Sequence, residues 1–444
     1  MPSRRVLLAS AAAAAACLGV QAVPAGAATG SADDTQVVSR GVKIPVFYNP
    51  PAELPSADGT LIRSEPLPLA IGLPTPNGPL PGTATRLMYK STDSGGGPVA
   101  VTGAYIEPTA RWSGAGARPL VVVAPGTLGQ GDQCAASMGL EHPLTFNGRT
   151  MSVGYEDLAI YRLLAKGVAV VVTDYAGLGA TDRLHTYVNR VDEGHAVLDA
   201  ARAARSVAGA SVTANSRVGL YGYSQGGGAT ASAAELQPSY APDVHLSGTY
   251  AGAPPADLTA VTKAIDGSEL AGALGWSLNG FLQSDPALRP IADEHLNAAG
   301  KAALNDLSTM CVGDALFRYA YSKSTAWTTD GRSVSDIIGS TPELRAFLDS
   351  QRIGRLEPAG PVRLATGTSD NLVPHGQARQ LAVDWCRKGA DVVYKPVVLP
   401  GLGSALLNHV TPLLADQGPA VDWLADRLAG KAAQDDCATL PAQP

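Results

Sequence analysis

The sequence predicts an α/β domain: a mainly parallel central sheet with helices on both faces, interrupted by a helical insertion. Three observations predict it. Seven short, valine-rich runs each release into a turn, and helical patterns fall between several of them. The alternation then stops between about Pro255 and Gly360 before resuming, an interval the size of a small domain.

The elements follow in order. Residues 1–27, "MPSRRVLLASAAAAAACLGVQAVPAGA", combine an Arg pair, an apolar stretch and the small-residue pattern Ala25-Gly26-Ala27, which reads as a signal peptide removed near Ala28. A lipid anchor at Cys17 is the weaker reading, and the general and twin-arginine export routes both stay open. Residues 28–95 are Pro-rich and are expected to drape over the surface. The apolar runs 99–106, 119–126, 167–177, 217–224 and 245–252 read as strands buried on both faces, as do 361–368 and 391–399. Between them, "YEDLAIYRLLAKG" places Leu158, Ile160, Leu163 and Leu164 toward one side and stops at Gly167. "DEGHAVLDAARAARSVAG" is an Ala-rich helix. The core is thus divided into 96–254 and 361–444 by a helical cap at 255–360, where Leu270, Leu274, Leu278 and Leu282 recur every four residues beside Phe281. That apolar face either packs on the main domain or lines a pocket for a hydrophobic substrate.

Composition excludes several classes. The net charge is -6, and no basic patch is present, so nucleic acid is not an expected partner. No later run is long enough to span a bilayer. Without Cys17, four cysteines remain (Cys134, Cys311, Cys386, Cys437), an even number that in an exported chain suggests two disulfides among three connectivities. No metal-ligand spacing appears, and neither a metal nor another cofactor is expected. A monomer is expected.

"GYSQG" (222–226) matches the strand-to-helix turn that exposes a nucleophilic serine, with glycines where neighbouring backbone must approach. Ser224 needs a base, and the base an acid to orient it, in the order serine, acid, histidine. Of the downstream histidines, His245 opens a strand away from the turn and His295 lies in the insertion. His375 follows Asp370 too closely, in the same loop, whereas His409 comes after another strand and a glycine-rich loop. Asp370 leaves the strand 361–368 at the edge where Ser224 sits; Asp384, within a helix, is the second choice. An ordinary Asx turn would also account for Asp370. Acyl transfer further requires donors for an oxyanion: the backbone N–H of Gln225, and a second from the loop "GTLGQGDQCA", through Asp132 or Thr127. The turn "DYAGLGATD" (174–182) resembles a dinucleotide fingerprint without its third glycine; Asp174 and Tyr175 read better as supports near the site.

In their shared order, "PGTLGQGDQCA", "TDYAGLGA", "GHAVLDAARAA", "GYSQGG", "SDNLVP", "WCRKGADVVY", "NHVTP" and "WLADRLAGK" resemble the secretory lipases of fungi and actinobacteria, in the α/β-hydrolase superfamily. The resemblance implies an α/β-hydrolase fold with a helical cap and a secreted carboxylic-ester hydrolase, typically a triacylglycerol lipase. It carries the triad to Ser224, Asp370 and His409, and favours Asp132 as the second oxyanion position beside Gln225, where some yeast relatives have glycine. By the same analogy, Cys134 pairs with Cys311 and Cys386 with Cys437. A hydrophobic ester is then the substrate, met through transient contact of the cap with a lipid interface. An esterase for soluble esters, a peptidase and a non-catalytic binding module are the alternatives.

Overall fold

A computed structural model describes residues 36–76, 78–142, 144–146 and 151–440; the expected signal peptide lies outside them. A nine-stranded sheet organises the chain. We number its strands β1 (Leu61–Leu67), β2 (Gly82–Thr92), β3 (Pro98–Pro108), β4 (Leu120–Ala124), β5 (Ala169–Ala176), β6 (Val218–Tyr223), β7 (Leu246–Gly252), β8 (Val362–Gly367) and β9 (Val392–Val397). Their spatial order is β9-β8-β7-β6-β4-β5-β3-β2-β1, with β4 to β9 parallel and β1 to β3 antiparallel.

Both faces of the parallel part are buried, which explains why its strands are unbroken apolar runs rather than alternating ones. Along β4, Leu120 and Val122 pack with Val197, Ala201 and Ala229 on one face, while Val121 and Val123 pack with Ile160, Leu163 and Leu424 on the other. Helices Arg190–Ala204 and Gln225–Tyr240 cover the first face; Asp157–Ala165 and Ala405–Leu428 cover the second.

Two expectations need correction. The segment 28–95 does not only drape over the surface, because β2 pairs with β3 from Gly82↔Pro108 to Thr92↔Pro98, and β1 adds a further strand. Prolines around these residues hide the pattern, yet Pro66 is tolerated on an edge strand whose outward N–H needs no partner. Leu158 is exposed, at 50 %. It lies two residues before Ile160, roughly 200° around a helix, so it cannot share the buried face of Ile160, Leu163 and Leu164.

Between β7 and β8 the named elements are helical, and Trp276, Leu274, Phe281 and Leu307 form a separate apolar cluster there. The loop after β4 is fastened to this layer. Gln130 N–H donates to the Met310 carbonyl (3.0 Å), Val312 N–H to the Leu128 carbonyl (2.7 Å), and Cys134 is bonded to Cys311. The buried Gln130 amide donates to the carbonyls of His185 (2.9 Å) and Trp276 (3.1 Å). The second disulfide, Cys386–Cys437, ties the carboxyl-terminal segment to helix His375–Arg387.

Cys134–Cys311 closes a sequence separation of 177 residues, so it restricts the unfolded chain strongly. Replacing both cysteines by serine is expected to lower stability by about 2–5 kcal/mol, read as a fall in the urea midpoint. An unchanged midpoint would contradict the assignment of this staple.

Candidate active site

The chain direction reverses its spatial progression at β4, which leaves for β5 on one side and has β6 on the other. In such sheets the crevice at the carboxyl ends of these strands is where ligands bind. Ser224 is the residue after β6, with φ 59° and ψ −123°, and helix Gln225–Tyr240 starts immediately behind it. Its N–H donates to the Gly252 carbonyl (2.9 Å) and its carbonyl accepts the first helical bond from Gly228 (3.0 Å). A Cβ on Gly222 would stand 2.1 Å from the Gly226 carbonyl oxygen, and one on Gly226 would stand 2.0 Å from that of Ala124. Only glycine lets strand, turn and helix approach this closely.

Asp370 follows β8 and is buried. Its Oδ1 accepts the N–H groups of Leu372 (3.1 Å) and Val373 (3.0 Å), and its Oδ2 lies 2.7 Å from His409 Nδ1. The Asx-turn reading and the acid reading therefore describe the same side chain, one oxygen for each. His409 sits in the first turns of helix Ala405–Leu428, capped by Ser404 Oγ, which accepts the Leu407 N–H. Its Nε2 is 2.9 Å from Ser224 Oγ. Since a carboxylate can only accept, Nδ1 carries the ring proton and Nε2 offers a lone pair to the hydroxyl. Tyr223, the residue before the serine, donates its buried hydroxyl to the His409 carbonyl (2.7 Å), so the turn and the histidine's helix are tied directly.

The remaining candidates lie elsewhere. Asp384 accepts from Gln380 in helix His375–Arg387, and His375 opens that helix with Nε2 3.1 Å from the Tyr394 hydroxyl; it is not a loop residue. His295 lines a cavity within the helical layer. Asp132 is buried and paired with Arg40 (3.0 Å) and the Ser39 hydroxyl. Burial pushes its pKa up to about 6, against the pull of Arg40. It does not line the cavity that holds Ser224, and neither does Thr127, whose hydroxyl bonds that of Tyr187 (2.7 Å), which does. Asp174 and Tyr175 are internal braces: Asp174 accepts from Ser137 and Thr102, and Tyr175 donates to the Pro125 carbonyl (2.7 Å).

The cavity at Ser224 is lined by residues that include Gln225, His409, Tyr187, Val188 and Phe281. Phe281 also lines a second, largely apolar cavity in the helical layer, with Leu282, Ile338 and Phe347. Among the described residues, Cys386, Asp435 and Cys437 form a group with metal-ligand atoms, but the two sulfurs are bonded to each other. No described helix is long and apolar enough to cross a membrane.

Sequence reasoning passed over Tyr223, Glu156 and Glu193. Glu156 is buried beneath the loop after β4 and accepts the Gly126 N–H (2.6 Å). Desolvation raises its pKa to about 8. An acid at a helix start carries no signal of burial; only the packed loop above it reveals the role. A raised folded-state pKa means that the native state holds a proton the unfolded chain releases, so stability falls as pH rises from the ordinary carboxyl range toward 8. Glu156→Gln keeps an acceptor for Gly126 and is expected to flatten that fall in thermal midpoints measured from pH 5 to 8. A pH profile parallel to the native one would contradict this.

A family model described as secretory lipase matches residues 140–436. A probable inactive lipase of Mycobacterium tuberculosis is 31% identical over 88% of this chain and 83% of its own length. The secreted triacylglycerol lipase LIP2 of Malassezia globosa is 28% identical over 55% of this chain, and the match spans 53% of that protein. In fold, the chain is similar to Candida antarctica lipase A in its closed state (TM-score 0.75, 22% identity, 88% of this chain and 87% of that one). It is also similar to the rice cell wall degrading esterase LipA of Xanthomonas oryzae (TM-score 0.68, 20% identity, 84% and 100%).

Proposed function

The chain belongs to the secretory lipase family and has the α/β-hydrolase fold, and from that premise we propose that it is a secreted serine carboxylic-ester hydrolase, a triacylglycerol lipase acting on hydrophobic esters through an acyl-enzyme. The observation that carries the reading is the continuous relay Asp370 Oδ2 to His409 Nδ1 (2.7 Å) and His409 Nε2 to Ser224 Oγ (2.9 Å). The name of the Mycobacterium relative concerns that protein; in this chain nucleophile, base and acid are all present and in hydrogen-bonding reach.

In the first half-reaction, His409 Nε2 takes the Ser224 proton as Oγ attacks the ester carbonyl. The carbonyl oxygen becomes an oxyanion beside the Gln225 N–H, at the positive end of helix Gln225–Tyr240. His409 then passes its proton to the leaving alcohol, and Asp370 stabilises the transient imidazolium and keeps the ring tautomer. Water, activated by the same histidine, releases the acid and restores Ser224. The second donor belongs to the loop after β4. Because the Asp132 carboxylate is engaged by Arg40 and Ser39, and the Thr127 hydroxyl by Tyr187, a main-chain N–H of that loop fits the role better than either side chain.

The helices between 255 and 360 act as a cap, and their apolar cavity, which shares the lining residue Phe281 with the cavity at Ser224, supports a hydrophobic acyl group. Family membership and the residue 1–27 pattern support export. Against p-nitrophenyl esters of increasing chain length and a triglyceride emulsion, the protein is expected to turn over the longer, emulsified substrates. Ser224→Ala should lower kcat by roughly 10⁴-fold or more. A preference for short soluble esters with no response to emulsion would replace the lipase reading with that of a soluble-ester esterase, and full activity in Ser224→Ala would end both. Phe281→Ala joins the two cavities and should raise kcat/KM for long-chain over short-chain esters. An unchanged ratio would remove the second cavity from the account.

A further inference from the structure

The turn that exposes Ser224 carries a second side chain whose placement the serine does not explain. Gln225 is buried, and its Nε2 stands 2.8 Å from Glu193 Oε1 and 2.9 Å from His185 Nε2. His185 Nδ1 lies 3.0 Å from the Ala176 carbonyl, which can only accept. The proton therefore sits on Nδ1 and Nε2 is an acceptor. Burial reinforces the neutral ring by pushing its pKa down to about 4. Both neighbours of the amide nitrogen are acceptors, which fixes the amide's orientation, since the reversed amide would set its oxygen against both.

The same Glu193 oxygen accepts the Val188 N–H (2.9 Å). Val188 has φ 57°, a left-handed conformation that a β-branched residue rarely adopts. Such strain persists only where the surroundings over-determine it, and it concentrates at functional sites. Val188 and its neighbour Tyr187 line the Ser224 cavity. Tyr187 in turn bonds Thr127 on the loop after β4. One carboxylate oxygen thus joins the residue after the nucleophile to a strained piece of the cavity wall.

We propose that the Gln225 side chain is a positioning residue: clamped between Glu193 and His185, it keeps its own backbone N–H aimed at the oxyanion and locks that donor to the Tyr187–Val188 wall. The inference rests on the acyl-transfer reading above. The donor is main chain and survives substitution, so the side chain contributes orientation alone. Glu193 contributes an acceptor oxygen rather than a charge.

Gln225→Met keeps the volume and removes both donated bonds; Gln225→Ala is measured beside it in case the thioether packs badly. Rates are normalised to the sites titrated by a fluorophosphonate, so unfolded chains do not count. For p-nitrophenyl butyrate, kcat is expected to fall about tenfold or more with KM changed less than about threefold. Affinity for an alkyl boronic acid, whose tetrahedral adduct resembles the intermediate, should fall by the same factor. Glu193→Gln still presents an oxygen to both N–H groups and should stay within about threefold of the native rate, while Glu193→Leu falls with Gln225→Met. Native kcat and boronate affinity in the Gln225 variants overturn the proposal, as does a Glu193→Gln variant as impaired as Glu193→Leu. A native protein that takes no label on Ser224 refutes the acyl-transfer reading itself, a failure distinct from the loss of the brace alone.

Discussion

The carbonyl oxygens of Ala124 and Gly226 stand where Cβ atoms of Gly226 and Gly222 would have to be, at 2.0 and 2.1 Å. That absence of side-chain volume lets β6 end against β4 and a helix begin one residue later, which forces Ser224 into a positive-φ conformation that an ordinary residue adopts at a cost of order 1–3 kcal/mol. The strain is held by bonds on both sides of the serine, from its N–H to Gly252 and from Gly228 to its carbonyl. The proposed catalytic relay is arranged around a hydroxyl fixed in this way.

His409 reaches that hydroxyl because several contacts place its helix rather than one. Ser404 caps the first turn, Tyr223 binds the His409 carbonyl, and Asp370 holds the ring. Tyr223 and Ser224 are consecutive, so the strand that positions the proposed nucleophile also positions the proposed base. The loop after β4 is held from below by Glu156 and from above by the helical layer through Gln130 and Cys134. Tyr223, Asp370, Glu156 and Gln130 are buried and paired, the condition under which polar networks specify one arrangement.

Much of this was legible in the sequence because parallel strands and their turns leave local marks. The seven valine-rich runs are β3 to β9, and their turns carry Ser224 and Asp370 at one sheet edge. The strand and glycine-rich loop that lie between Asp370 and His409, and not between Asp370 and His375, separated the two histidines without coordinates. Less legible was whatever depends on partners remote in the chain. β1 and β2 are antiparallel strands at one end of the sheet, set among prolines, and nothing local in them announces a partner. Asp132 shares a loop with groups near the nucleophile, yet its carboxylate turns to Arg40, more than ninety positions away in a segment that had no assigned role. Glu193 looks like an acid in the solvated first turn of an Ala-rich helix until Gln225 is packed onto it.

The central claim is that Ser224, His409 and Asp370 act as one chemical unit. Mass-spectrometric mapping of the adduct left by an organophosphate ester tests it most directly, with the labelling rate followed in the native protein and in His409→Ala. The account predicts one adduct per chain, on Ser224, forming several orders of magnitude more slowly without the imidazole. An adduct on any other residue, or a rate indifferent to His409, would contradict it.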